Sequence, residues 1–330
     1  MKIYIITLIL LSFTQFSSAQ KLVSQEKLDE LPIVTFPVNN PKDIIKLSVK
    51  DYKWKDLRSL YSYSSIQELR LENCSFTILD LDLEKFPNLQ FLFVYHCNYD
   101  SFSVKGKPDN FRTLDLYGRH FENYDFLPAL TSLEEFNLSD TFALKIDNLI
   151  KNVNATPSIR EFTIDELKEP LPESFKNIKK LNWLSLTYLD KSFDLPRLFE
   201  LIQEMDIQTL NLVFGGYDSL PPEIAKLKKI KNLYIGVSGL TFLPDEIGML
   251  EQLEGLYIAE AYSFKTLPST LENMKNLKVL DLDFTAFTTV PDVIYKMTWL
   301  EKFYISGFME ELPESEIKKI KKALKKTAVN

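Results

Sequence analysis

Residues 220–282 read LPPEIAKLKKIKNLYIGVSGLTFLPDEIGMLEQLEGLYIAEAYSFKTLPSTLENMKNLKVLDL. One unit is spelled three times in this stretch. Each copy opens on an apolar residue followed by Pro, as Leu220-Pro221, Leu243-Pro244 and Leu267-Pro268. Each closes on an apolar residue with two more at +3 and +5: Ile230-Leu233-Ile235, Leu253-Leu256-Ile258 and Leu277-Leu280-Leu282. The alternation in that triplet is the period of a strand with one buried face. Pro suits the start of a helical turn, because it has no N–H to leave unpaired and its φ is already set. The Glu, Asp or Ser that follows suits the positive end of such a turn.

The triplet extends in both directions. Upstream it appears at Ile44-Leu47-Val49, Ile66-Leu69-Leu71, Leu89-Leu92-Val94, Phe111-Leu114-Leu116 and Leu133-Phe136-Leu138. It continues at Ile159-Phe162-Ile164, Leu181-Leu184-Leu186 and Ile207-Leu210-Leu212, and the last copy is Leu300-Phe303-Ile305. Twelve copies start 22 to 26 residues apart. The Pro-led turn recurs at Leu171-Pro172 and Val290-Pro291. A chain of 330 residues would otherwise suggest about two globular domains. A short fixed period argues instead for one body that grows by stacking.

This pattern resembles the leucine-rich-repeat proteins of the class with an LPxxIxxLxxLxxLxL repeat, of an exported, bacterial-like kind, over about residues 44–313. The resemblance implies an α/β solenoid, a horseshoe with a concave parallel β-sheet of about twelve strands and short helical turns on the convex side. Counting the first apolar residue of each triplet as position one, positions four and six should fill the core, with their neighbours facing outward. Residues 20–43 would cover the open N-terminal end. Residues 314–330 would cover the other, with Ile317, Ile320 and Leu324 at helical spacing and a lysine-rich face left to solvent.

The family usually places Asn at position nine, where its amide bonds backbone at the turn out of the strand. None of the assigned copies keeps it; the column includes Cys74, Cys97, Arg119, Leu167, Leu189, Gly215, Thr285 and Phe308. Those turns must satisfy their backbone otherwise. Both cysteines fall on this column in adjacent copies. Strands about 4.8 Å apart bring Cα atoms within bonding range. Parallel side chains keep the Cβ atoms wider than the ~3.8 Å a relaxed disulfide prefers. Two buried thiols is the favoured reading, and a disulfide stays open.

The first nineteen residues read as an export signal. Lys2 precedes an apolar run from Ile3 to Phe16, and Ser17-Ser18-Ala19 offers small residues for cleavage before Gln20. The run is short of the ~20 residues that span a bilayer. The mature chain is therefore expected in a periplasm or outside the cell, without an integral membrane segment. The formal net charge of -7 argues against nucleic acid as a partner.

Chemistry is sparse. The two histidines, His96 and His120, stand in no metal-protease, GxSxG or phosphate-loop pattern. The Asp281 and Asp283 carboxylates, two apart on one strand face, read better as solvated charge than as an acid–base pair. No cofactor, metal or catalytic group is expected. The candidate site is the outward face of the sheet. Copies three and four contribute Phe91, Phe93, Tyr95, His96 and Tyr117; copies four to six add Asp115, Glu135, Asp140, Glu161, Asp165 and Glu166. Later copies contribute Trp183, Tyr188, Phe214, Tyr234, Tyr257 and Tyr304 among small residues such as Gly236, Gly255 and Ala259. Neighbouring exposed aromatics point to a covering partner. A protein or peptide partner of basic or mixed charge is the leading expectation, and glycan recognition is the second.

Intact mass of the natively exported chain should show Gln20 as its first residue; retention of residues 1–19 would overturn the export reading.

Overall fold

The computed structural model describes residues 25–38, 40–107, 109–117, 123–139, 145–189, 191–236, 239–307 and 312–329. The export signal, Gln20, Arg119, His120, Asp140 and Phe308 lie outside the described residues.

All twelve triplets form strands of one parallel sheet, from Lys46–Lys50 through Phe91–Tyr95, Glu161–Asp165 and Asn232–Gly236 to Lys302–Gly307. Each pairs with the next in the same phase: Leu69 lies beside Leu92, Leu92 beside Leu114, and Leu233 beside Leu256. The pairing follows from the sequence, because a slip of one residue would turn every buried side chain outward. Position four is fully closed to solvent from Leu47 through Leu92 and Phe162 to Phe303. The same column changes from Leu to Phe at Phe136 and Phe162, whose rings stack with centroids 6.0 Å apart.

The sheet has fourteen strands, two more than the triplets, and the ends supply them. Val34–Thr35 pairs with the first repeat strand and Ala328–Val329 with the last. The exposed edges that twelve strands would leave are thus each extended by a short cap strand. At the N-terminal end a helix, Gln25–Glu30, buries Leu28, whose carbonyl accepts from the Lys46 ammonium at 3.1 Å. At the other end the helix Glu314–Ala323 buries Ile320, and Leu324 is buried just beyond it.

The opposite side of the solenoid is less uniform than the resemblance implies. Copies of 22 to 24 residues with a Pro have room for one 3-10 turn, as at Pro222–Lys226, Asp245–Met249 and Ser269–Asn273. In all three the motif's Pro, at Pro221, Pro244 and Pro268, sits one residue before the turn, in extended conformation, rather than at its first position. The two 26-residue copies fit true α-helices, Ile146–Asn154 and Leu195–Ile202. The second starts at Asp194, whose carboxylate accepts from the Arg197 N–H at 2.9 Å.

The early copies depart further and form strands there. Lys53–Trp54, Ser75–Phe76 and Asn98–Tyr99 make a three-stranded sheet, and Leu79–Asp82 pairs with Phe102–Lys105. Helical turns were expected in this half too. The segment Leu79-Asp80-Leu81-Asp82 alternates with period two and has no Pro, so it buries both leucines as a strand. Its outward Asp80 takes a hydrogen bond from Ser103 and an ion pair from Lys105.

Leu92→Ala should cost roughly 2–5 kcal/mol of unfolding free energy through the cavity it opens between neighbouring copies. Denaturant melts of the two proteins check it, and an unchanged midpoint would contradict the assigned register.

Candidate functional site

The outward face is built by the odd positions of each strand. Phe91, Phe93 and Tyr95 alternate with buried Leu92 and Val94 and are all partly exposed. Phe93 and Tyr95 lie near each other, ring centroids 6.0 Å apart and 25° from parallel. A cation completes this group: the Arg70 guanidinium stands 5.0 Å from the Phe93 ring centre. Arg70 was absent from the expected site, although position five of copy two places it in register beside Phe93. Its guanidinium also pairs with Glu68, which pairs in turn with Lys46 at 3.3 Å.

Tyr95 leads into the carboxylates, its hydroxyl donating to Asp115 at 3.3 Å. Glu135 accepts from Thr113 at 3.0 Å and from Asn137 at 2.8 Å. Asp165 accepts from Ser139 and Thr187. Glu161 lies between Glu135 and Trp183 in the ladder. The structure thus brings together Asp115, Glu135, Glu161 and Asp165, one carboxylate or two from each of copies four to six. Thr113, Asn137, Ser139 and Thr187, which hold them, went unremarked in the sequence because small polar residues on a strand carry no distinctive pattern.

Burial and mutual proximity change the charge of three of them. Burial, then the neighbouring Glu135 and Asp165 carboxylates, push Asp115 up to about 8, against the opposing Tyr95 hydrogen bond and Arg70. Burial, then Glu135 and Glu134, push Glu161 up to about 7. Asp165 is raised by burial despite its two hydroxyl donors. Burial lifts the Tyr95 hydroxyl as well, with Asp115 adding to it. Further along, burial carries Asp281 to about 6, and its carboxylate accepts from the Asp283 N–H at 3.0 Å.

The aromatic residues of the later copies meet one another. Tyr234 and Tyr257 stack with centroids 4.2 Å apart and planes 6° from parallel, and Trp183 reaches Tyr234 at 5.8 Å across the intervening strand. Gly255 is covered rather than open. The Tyr257 ring lies over it, close enough that a Cβ there would stand 2.6 Å from the ring. Gly236 and Ala259 are partly exposed, as is Tyr304.

The strand ends explain the missing Asn. Among the described residues position eight is left-handed in seven copies: Asp51, Asn73, His96, Glu166, Tyr188, Glu260 and Phe284 have φ between 52° and 61°. That turn aims position nine back into the core, where Cys74, Cys97, Leu167, Leu189, Ala261 and Thr285 are buried. His96 and Tyr188 therefore stand on the rim of the sheet, exposed, and His96 meets the Tyr117 ring edge-on at 4.3 Å.

Phe214 is a correction. It was expected to face outward, but it is 1% exposed. The ladder slips between Leu186 and Leu189, so that Leu189 at position nine pairs with Phe214 at position eight. Copy eight is one residue short there, and Phe214 takes the buried place. The cysteines are both buried and free; the Cys74 N–H donates to the Cys97 sulfur at 3.3 Å, and the Cys74 side chain and then burial push the Cys97 thiol up against that N–H.

A parallel-sheet solenoid with an aromatic and carboxylate face is thus the class of molecule defined by the chain. No protein-family model and no curated protein matches the sequence. Among solved structures, TLR13 in its complex with ssRNA13 superposes with a TM-score of 0.59 at 17% identity, over 80% of this chain and 39% of that one. A leucine-rich-repeat protein of Leptospira interrogans matches at TM-score 0.49 and 18% identity, over 87% of this chain and 78% of that one. An internalin of Listeria monocytogenes matches at 0.49 and 15%, over 93% and 82%. The fold is the leucine-rich-repeat solenoid, and this chain spans about two fifths of the TLR13 chain's length.

The neutral form of Asp115 is the one favoured by the fold, so its contribution to stability is full below pH ~4 and is lost as pH rises through about 8. Asp115→Asn should remove that loss. Melting curves from about pH 5 to pH 9 should show the variant gaining on the wild type as pH rises; parallel curves would contradict the raised carboxyl.

Proposed function

We propose that the protein is an exported, non-enzymatic binding module that holds a protein or peptide partner on the open face of its sheet. The observation that carries this reading is the junction at copies two to six. There an aromatic group with its own cation, Arg70, Phe93 and Tyr95, runs into four carboxylates that are kept partly desolvated. Large rings give contact area at little entropic cost, and such residues dominate binding at interfaces.

The charge of the partner follows from the carboxylates. A lysine or arginine approaching Asp115 or Glu161 favours the ionised form, so contact with a basic partner would release protons from this face. RNA, the ligand in the TLR13 complex, would need many cations along the sheet, where carboxylates stand instead. Glycan recognition is less favoured, because Tyr234 and Tyr257 spend their facing surfaces on each other.

The test uses the partner captured with the natively exported protein. Phe93→Ala and Tyr95→Ala should each weaken its binding by on the order of 1–3 kcal/mol, with melting temperatures close to that of the wild type. Glu135→Gln and Glu161→Gln should act mainly on association rate and its salt dependence. Normal binding by both aromatic variants would place the partner elsewhere.

A further inference from the structure

The rim of the sheet has a gap. Left-handed backbone suits Asp51 and Asn73, whose short polar side chains tolerate it, but Tyr188 and Phe284 hold the same conformation with large rings. Tyr188 is 44% exposed. In the next copy no side chain stands beside it on the rim, because Phe214 has turned inward and Gly215 and Gly216 follow. Gly216 is itself left-handed at φ 81°. A side chain at Gly215 would meet nothing within 4 Å.

The result is an open hollow of 440 Å³ between copies seven and eight, lined by Tyr188, Leu189, Lys191, Val213, Phe214, Gly215 and Gly216. Its walls are mainly apolar, and Lys191 closes one side, packed where Gly216 lacks a Cβ. Glu166 stands at the same rim position one copy before Tyr188, and Asp165, Glu166 and Glu260 bear on the Tyr188 phenol, raising it further than burial alone does. Glu260 is held by the Tyr262 hydroxyl at 3.3 Å. Among the described residues neither Glu166 nor Glu260 forms an ion pair, and Lys191 is the one cation that lines the hollow.

We infer that this hollow anchors one long cationic side chain, a lysine or arginine in an extended segment of the partner. The inference rests on the reading of the open face as a binding surface and names the chemistry of one contact. An apolar stem fits the Val213 and Leu189 walls, and the charged head then lies against the Tyr188 ring and the flanking carboxylates. A neutral aliphatic side chain would fill the same walls but leave those carboxylates unanswered. An acidic one would be repelled by Glu166 and Glu260 against the single Lys191.

The probe is Nα-acetyl-arginine methylamide, titrated into the isotopically labelled mature chain while the Gly215, Gly216 and Val213 NMR signals are followed. The citrulline and norleucine analogues serve as neutral controls. Saturable shifts at those three residues are expected with the arginine probe, weakening with salt and falling on the order of tenfold in affinity for citrulline. Gly215→Leu, which fills the hollow, and Tyr188→Asn, which removes the ring but suits the turn, should each abolish the shifts while the melting temperature holds. Equal response to norleucine would overturn the cationic assignment, and no response to any probe would overturn the site. Loss of partner binding in Phe93→Ala together with a silent hollow would sink this inference alone. A responsive hollow with intact partner binding in Phe93→Ala would sink the broader reading of the aromatic face instead.

Discussion

Everything in this molecule depends on the stacking of position four. A single copy offers two or three apolar side chains on a short strand and cannot bury them alone. Placed in register, each copy covers the face its neighbour leaves open, and the column from Leu47 to Phe303 closes completely. The stack ends only where something other than a repeat covers it. That is why both caps combine a short helix with a two-residue strand: Leu28 and Ile320 fill the last gap in the core, while Val34–Thr35 and Ala328–Val329 occupy the sheet edges.

The same constraint explains how the chain dispenses with the Asn of its repeat class. Left-handed backbone at a residue other than glycine costs roughly 1–2 kcal/mol. Burying a leucine at the next position returns about 1.5–3 kcal/mol. At Glu166-Leu167 and Tyr188-Leu189 the second effect outweighs the first, so the turn is held by packing rather than by a side-chain amide. In copy eight the left-handed residue is lost, yet the inward place is still filled, by Phe214. The core position is thus conserved in space where the residue count is not.

Strand number, phase and the inward positions were legible in the sequence because a repeated period of two marks them, as in Leu114-Asp115-Leu116. The side of the solenoid away from the sheet was less legible. There the Pro-led motif describes the later copies, while Leu79-Asp80-Leu81-Asp82 had to be read for its own alternation. Copy length also carried a signal, since the two 26-residue copies are the ones that hold α-helices. The outward face was legible by column but not by contact. The sequence places Arg70 beside Phe93, yet only the folded chain shows that Tyr257 lies over Gly255 or that Phe214 leaves the surface. Those outcomes depend on how long side chains lean and on a ladder slip, and neither has a local pattern.

Charge is where counting residues misleads most. The formal net charge of -7 treats every carboxylate as ionised at neutral pH. Asp115 and Glu161, raised to about 8 and about 7, do not behave so. Around neutrality Asp115, held by Tyr95, and Glu161 are partly protonated carboxyls at the centre of the open face, and less an acidic patch than a store of latent charge. The fold tolerates their crowding because protonation relieves it; an approaching cation would relieve it in the opposite way, by ionising them. A face of this kind repels anions only as its carboxyls ionise, and its attraction for cations grows as the partner arrives. The Phe93 and Tyr95 rings can therefore supply contact area beside carboxyls without the repulsion that four fixed negative charges would impose on the unbound sheet.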